Sequence, residues 1–559
     1  TGGGGTDTLT ATITAVNLRP NMSAVENLVL TDTGGATINM IDVSGLTSIT
    51  SQTTTAAPTF NNLQSVGTLT LNNTTVGATV DYTAAATAGT SDEATLALEG
   101  VTGAGGSAVT YTATTNTIET LNISSTISAN TVNDLQTTGA GVASIVVTGD
   151  QNLTIATALD AEITSFDASA ATGVHTLTLG TGGTTATFGS AADQITLGVA
   201  TDNVTLGDGA DTLFVPGGGA LTTADTVAGG DGADTLQYTS DEAIALTDFT
   251  NVTGIETLTA SNSVQMTGNL GAAADAAGIR TVTFNDDGNG DNLTIDAEFT
   301  SALTVNGDDG NNTLDASAYT GALTIAFTET ILDDDVHTIT GGTGTTTLSI
   351  TADGTNVDNA SMDTITGLTN ITIANDAATG TISLDDNNGA DGATLTVDAT
   401  AITTAANGFT LDATDEQDAN LVVLGGAGVN TITGSSSDLG DNITGGASDD
   451  VFNFVNGQLT TLDTVAGGDG DDTINYTTAD ETLALTDFTN VTSVETLTAD
   501  NSVAIIGNIG AAADAAGIRT VTFNDDGNGD NLTIDAEFTS ALTVNGDDGN
   551  NTIDASAYT

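Results

Sequence analysis

Hydrophobic and polar residues alternate over short stretches along the whole chain. ALTVN (302–306), NLTID (292–296), TLTVD (394–398) and RTVTF (280–284) place aliphatics at every second position, with Thr prominent between them. Alternation of this length predicts half-buried strands. Clusters of Gly, Asn and Asp separate the stretches, and Pro occurs only at 20, 58 and 216. The one helical signal is GAAADAAG at 271–278, repeated at 510–517, enough for at most two turns. The pattern is that of an all-β chain of many short strands.

A second period lies over the first. Residues 179–214 read as four nine-residue words, LGTGGTTAT, FGSAADQIT, LGVATDNVT and LGDGADTLF. Each has Gly at its second place; the last three carry an acid at the sixth (Asp193, Asp202, Asp211) and an aliphatic at the eighth (Ile195, Val204, Leu213). Nine residues suit one turn and one short strand stacked on copies of itself, with carboxylates along one edge and aliphatics inside. Repeats bury a core only by stacking, so the expected fold is a repetitive parallel β-solenoid, a β-helix or β-roll, rather than a sandwich. An aromatic content of 4% suits a narrow interior filled by Val, Ile, Leu and Ala.

Longer repeats divide the chain. The segment 271–320 recurs at 510–559 with one change, Leu314 to Ile553. Glycine turns near Gly2, Gly103, Gly229, Gly341 and Gly467 are each followed by a related strand: AVENLVL (24–30), TIETLNI (117–123), GIETLTA (254–260), GLTNITI (367–373) and SVETLTA (493–499). This gives five repeat units: 1–102; 103–228, with the tandem words 179–214; 229–340; 341–466, with tandem words at 425–453; and 467–559, a truncated near-copy of the third. The chain starts at Thr1 and stops inside a repeat at Thr559, which predicts an internal stretch of a longer protein.

Charge then narrows the partners. There are 72 Asp plus Glu against 3 Lys plus Arg, for a net charge of −69, and no Cys. Such a surface excludes nucleic acid and anionic membrane surfaces, which both require basic patches. No apolar run reaches the length that spans a bilayer, so no membrane insertion is expected. Without Cys, no disulfide framework holds the fold. Disorder is not implied despite the charge, because 38% of residues are hydrophobic and evenly alternated. Either the acids form a solvated surface, or they hold cations; their recurrence at fixed repeat places favours cations.

The pattern Gly-Gly-x-Gly-x-Asp-x-aliphatic-x occurs at 2–10, 229–237 and 467–475, with variants at 341–349, 425–433 and 445–453. Glycines permit positive φ and close approach of carbonyls, and the Asp supplies a hard anionic oxygen. Ca²⁺ takes six to eight such oxygens, a number that stacked turns can assemble. This word is the nonapeptide of calcium-binding RTX proteins. The chain resembles that family, and more closely the RTX-type S-layer proteins of Gram-negative bacteria, in its Thr/Ala/Gly/Asp bias, its lack of Cys, and phrases such as ITSFDASAATG (163–173) and GIETL (254–258). The resemblance implies Ca²⁺ at Asp193, Asp202, Asp211, Asp234, Asp450 and Asp472, and at Asp7, with folding completed by calcium outside the cell. Thr184, Thr346, Asn430 and Asn442 depart from the acid, which weakens a site or leaves a turn without one.

Two other segments offer oxygens. NDDGNGDNLTID (285–296) places Asn285, Asp287, Asn289, Gly290, Asp291 and Asp296 at places 1, 3, 5, 6, 7 and 12 of an EF-like loop, and its copy at 524–535 repeats this with Asp526 and Asp530. GDDGNN at 307–312 offers Asp308 and Asp309, and its copy at 546–551 offers Asp547. Each of these is read either as a cation loop or as an Asn/Asp turn between strands. Catalytic groups are scarce: His175 and His337 lie in no nucleophile or metal-protease motif, and Arg280 and Arg519 are expected to pair with local acids. No enzymatic activity is expected. Thr-x-Thr ladders of constant spacing, which an ice-binding face would need, are not present.

Two functions fit these expectations. One is a calcium-stabilised structural protein of the bacterial cell surface, extracellular, assembling into an S-layer, sheath or filament, with copies of itself and cell-surface polysaccharide as partners. The other is the solenoid extender of a giant RTX-type adhesin.

Overall fold

The computed structural model describes residues 1–559 apart from 15, 104, 286, 287, 289, 335, 438, 456, 479, 480, 502 and 525–528. The alternating stretches form strands that stack in parallel as a β-solenoid, about 23 coils in all, with helix limited to 4%. The chain folds as two compact units, Thr1–Met266 with Ala272–Arg280, and Thr267–Gly271 with Thr281–Thr559. No helix among the described residues is long and apolar enough to cross a membrane.

In the first unit, one face is a twelve-stranded sheet running from Thr8–Ile13 to Val252–Thr253. A second face is built by strands from Asn17–Leu18 to Leu135–Gln136 in the early coils, and by strands from Asn130–Val132 to Thr257–Ala260 in the later ones. The tandem words explain the switching between faces. Gln194–Thr196 pairs with Thr212–Val215 on one sheet, while Thr185–Thr187 pairs with Asn203–Asp208 on the other. Successive words therefore go to alternate faces, and two words make one coil. The register stacks like on like: Ile195, Leu213, Leu236 and Leu258 lie in one row, and Ala186, Val204, Val227 and Val252 in the other. All eight are buried, so the eighth place of each word is the core.

The second unit repeats this scheme. One face runs from Thr281–Thr283 to Val491–Thr492; its opposite face is first Asn292–Ile295, Thr313–Asp315, Thr338–Thr340 and Ile365–Thr366, then strands from Thr381–Ser383 to Thr543–Asn545. Its core adds fully buried aromatics, among them Phe409, Phe452, Phe454 and Tyr476. GAAADAAG forms the short helices Ala272–Ala277 and Ala511–Ala516; the latter ends on Gly517 at φ 111, a conformation that L side chains rarely adopt. Two further short helices, Glu329–Asp334 and Asn359–Met362, had no counterpart in the sequence reading. The second begins where the Asp358 side chain accepts the Ser361 N–H.

Candidate metal centre

The sixth-place acids do not line an outer edge; they stand in buried rows at the corners between faces. In the first unit the amide N–H of His175 donates to Asp193 Oδ1 at 2.6 Å, that of Asp193 to Asp211 Oδ1 at 2.6 Å, that of Asp211 to Asp234 Oδ1 at 2.8 Å, and that of Asp234 to Glu256 Oε2 at 2.8 Å. Each step crosses one coil. The word at 229–237 looks isolated in the sequence, but in space it is the next rung of the tandem run. A second row holds Thr184, Asp202 and Asp225, joined the same way at 2.7 Å per step.

The second unit carries matching rows. Asn430, Asp450, Asp472 and Glu495 are linked by N–H to carboxylate bonds of 2.7, 2.7 and 2.9 Å. Asp441 donates its N–H to Asp463 Oδ1 at 2.7 Å. The rows end on recurrent phrases. The Glu of each ETL-type phrase accepts the N–H of an acid one coil back, Glu26 from Asp7 and Glu119 from Asp92 as well as Glu256 and Glu495. In LTTxDT the Asp closes the other row: Thr222 N and Oγ1 donate to Asp225 Oδ2 at 2.7 and 2.8 Å, and Thr460 N and Oγ1 to Asp463 Oδ2 at 2.6 and 3.0 Å. These Glu and Asp caps, and His175 with Nδ1 3.0 Å from Asp193 Oδ1, were not among the residues picked from sequence. For the Glu caps the signal was the recurrence of the phrase after a glycine turn, at Glu26, Glu119, Glu256 and Glu495.

In the row of Thr184, Asp202 and Asp225 both carboxylate oxygens are used, Asp202 Oδ2 by the Gly198 N–H at 3.0 Å; in the rows of Asp193 and Asp450 one oxygen is used, and the other poses the chemical question. Asp193, Asp211, Asp234, Asp450 and Asp472 are 0–1% exposed, and their Oδ2 atoms are buried with no hydrogen-bond partner. An ionised carboxylate in that setting is costly unless a cation or a proton compensates it. Desolvation pushes the Asp211 carboxyl up to about 7 and that of Asp450 to about 6, with neighbouring row acids adding to the rise. Burial also raises Asp202, Asp234 and Asp472, and takes Asp441 to about 6. No Lys or Arg compensates them, and among the described residues the one imidazole beside these rows is that of His175, at Asp193. All three Arg are engaged elsewhere, Arg19 with Asp42 at 2.6 Å, Arg280 with Asp275 at 3.0 Å and Arg519 with Asp514 at 3.1 Å.

Asn430 shows what surrounds the side chain at this place of a row. Its Nδ2 lies 3.1 Å from Gly426 O, 2.9 Å from Gly428 O, 2.9 Å from Gly445 O and 2.8 Å from Asp450 Oδ1. Three carbonyls from two successive turns and one carboxylate thus converge on a positively polarised group. Hard oxygens from stacked turns are the donor type that Ca²⁺ takes. Asp450 and Asp472 hold the same place in their words as Asn430, with a carboxylate where Asn430 has an amide donor. The residues fit a hard divalent cation.

The first glycine of a word makes room for the carboxylate. A Cβ on Gly467 would overlap the Ser493 carbonyl and Asp472 Oδ2. Gly467→Ala is expected to cost ~1–3 kcal/mol in a denaturant titration, the range for overpacking. Gly4→Ala, with open space around its Cα, should leave stability unchanged.

The remaining sequence candidates are placed as follows. Asp7 is half-buried; its Oδ2 accepts the Gly3 N–H at 2.7 Å, and its own N–H is held by Glu26. Asp287 and Asp526 lie outside the described residues. Among the described residues of the twelve-residue segment, Asn292–Ile295 is a strand, which puts Asp291 and Asp296 at its opposite ends, roughly 16 Å apart at strand rise. Asp291 instead stands in a row, donating its N–H to Asn312 Oδ1 at 2.8 Å, while Asn312 Nδ2 donates to Asp308 Oδ1 at 2.9 Å. The second copy matches: Ile505 N donates to Asp530 Oδ1, Asp530 N to Asn551 Oδ1, and Asn551 Nδ2 to Asp547 Oδ1. The two candidate segments are thus successive rungs of one row, not separate loops. Compared with known proteins, the chain matches no family model and no curated sequence.

Proposed function

We propose that this chain is a calcium-stabilised structural protein of the bacterial cell surface, assembling with its own copies into a layer, sheath or filament. The observation that carries the reading is the set of buried carboxylate rows with an unpartnered oxygen, in a chain without the basic residues to neutralise them. Calcium in the Gly-Asp turns would tie each rung to the next and remove the self-repulsion of a −69 charge. The surface assignment draws on the resemblance of the nonapeptides and ETL phrases to RTX-type S-layer proteins, and places the chain outside the cell.

Electron microscopy of the purified chain in millimolar Ca²⁺ tests the assembly. A regular lattice or filament that dissolves in chelator is expected. Dispersed single molecules in calcium would overturn self-assembly and leave the extender of an adhesin.

A further inference from the structure

The strongest unassigned chemistry lies in the second unit, in residues that belong to no Gly-Asp word. Strand Thr381–Ser383 pairs with Phe409–Asp412, and Thr394–Asp398 pairs with Asn420–Leu424. Segments 384–393 and 413–419 therefore turn the same corner on successive coils. Their contacts confirm the stacking: Gln417 N donates to Asp386 Oδ1 at 3.1 Å, and Gly392 N to Asp418 O at 3.0 Å. This corner gathers Asp386, Glu416 and Asp418, one carboxylate oxygen of each lying within 4.8 Å of the others.

Glu416 separates this cluster from a patch of solvated acids. It is 0% exposed. Its Oε1 accepts the Asp418 N–H at 3.2 Å and the Ala419 N–H at 2.9 Å, which fixes the side chain in place. Its Oε2 is buried and has no hydrogen-bond partner, and Asp418 Oδ1 is likewise buried without a partner. Gly389 leaves the room this needs, since a Cβ there would meet Ala419 Cβ at 2.5 Å and Glu416 Oε2 at 3.4 Å. Desolvation raises the Asp418 carboxyl, and Asp391, Asp386 and Glu416 beside it raise it further. Asp441, raised chiefly by its own burial, also lies close enough to feel the Glu416 charge. No Lys or Arg is available to oppose them, because all three Arg pair elsewhere.

We infer that Asp386, Glu416 and Asp418 bind a divalent cation of calcium's size, which clamps two successive coils at a corner without glycine-rich turns. Two oxygens on opposite sides of one Ca²⁺ can be about 5 Å apart at ligand distances of ~2.3–2.6 Å, a span that contains this cluster. The site stands on its own residues and does not depend on calcium in the Gly-Asp rows.

The test counts bound ⁴⁵Ca per full-length chain by equilibrium dialysis, with Glu416→Gln and Asp386→Asn set against the parent and against the row variant Asp193→Asn/Asp211→Asn/Asp234→Asn. Gln keeps the Oε1 acceptor, so the fold should survive, and Asp386→Asn changes a half-exposed group if it does not. Each cluster variant is expected to bind one calcium fewer than the parent, while the row variant keeps that calcium and loses others. An unchanged count in both cluster variants overturns the inference, whatever the row variant does. If the cluster instead shares a proton, the count is unchanged and only the pH dependence of melting differs, which also overturns it.

Discussion

Withdrawing calcium from the full chain is expected to lower its melting temperature by roughly 10 °C or more and to reduce its β-signal in circular dichroism. The size follows from linkage. A site held at a hundredfold excess over its dissociation constant adds ~2.7 kcal/mol, so two such sites contribute about 5 kcal/mol. That is a large share of the ~5–15 kcal/mol by which folded domains exceed their unfolded states. Asp193, Asp211, Asp234, Asp450 and Asp472 each leave a buried oxygen to be compensated, and the unfolded chain returns those oxygens to water. The measurement is a pair of melts, in chelator and in millimolar Ca²⁺, with magnesium as the control for plain screening. Identical melts would remove the calcium reading and leave an acidic solenoid held by its aliphatic rows. Equal gains in magnesium would mean charge screening rather than a built site.

The core was legible because its signal is local. The alternation at 302–306 became the strand Leu303–Asn306, and the eighth-place aliphatics Ile195, Val204 and Leu213 are all buried. What the sequence hid was which turn lies on which. Coils of two words bring Asp193 over Asp211, a spacing the nine-residue period contains. The following coil is longer, with 23 residues from Asp211 to Asp234 against 18 from Asp193 to Asp211, and this made Asp234 look solitary although it directly continues the row. Glu256 and Glu495 were visible as part of a phrase, but their task is to accept an N–H one coil back, which only stacking reveals. Asp291 and Asp296 are the opposite case, close in pattern and separated by the fold. Their EF-like spacing is a property of the sequence, and the strand between them pulls the two carboxylates apart. Asp386, Glu416 and Asp418 carried no periodic mark at all, since their two segments share a corner but no word.

Replacing row acids by Asn should reverse sign with calcium. In the Asp211→Asn/Asp450→Asn double variant, Oδ1 can still accept the N–H from the coil before, and the new amide can donate to turn carbonyls as Asn430 does. At pH 8 in chelator, each substitution removes an ionised, uncompensated buried oxygen, so the variant is expected to be more stable than the parent, by ~1–3 kcal/mol per site. In calcium the order inverts, because the variant has lost two anionic ligands. The pH dependence gives the same test from another side. Burial raises Asp211 to about 7 and Asp450 to about 6, above the ~3.9 of an unfolded Asp. Between those values the folded parent holds protons that the unfolded chain has released. Its calcium-free stability is therefore greatest below about pH 4 as far as these groups decide it, and is lost as pH rises through about 6 to 7. The variant lacks those protons and should show a flatter profile over that window. Denaturant titrations of parent and variant at pH 5 and pH 8, each with calcium and with chelator, contain the whole argument. A variant that is weaker than the parent in all four conditions would mean that the second carboxylate oxygen already has a structural partner, and that neither a cation nor a proton is what the rows require.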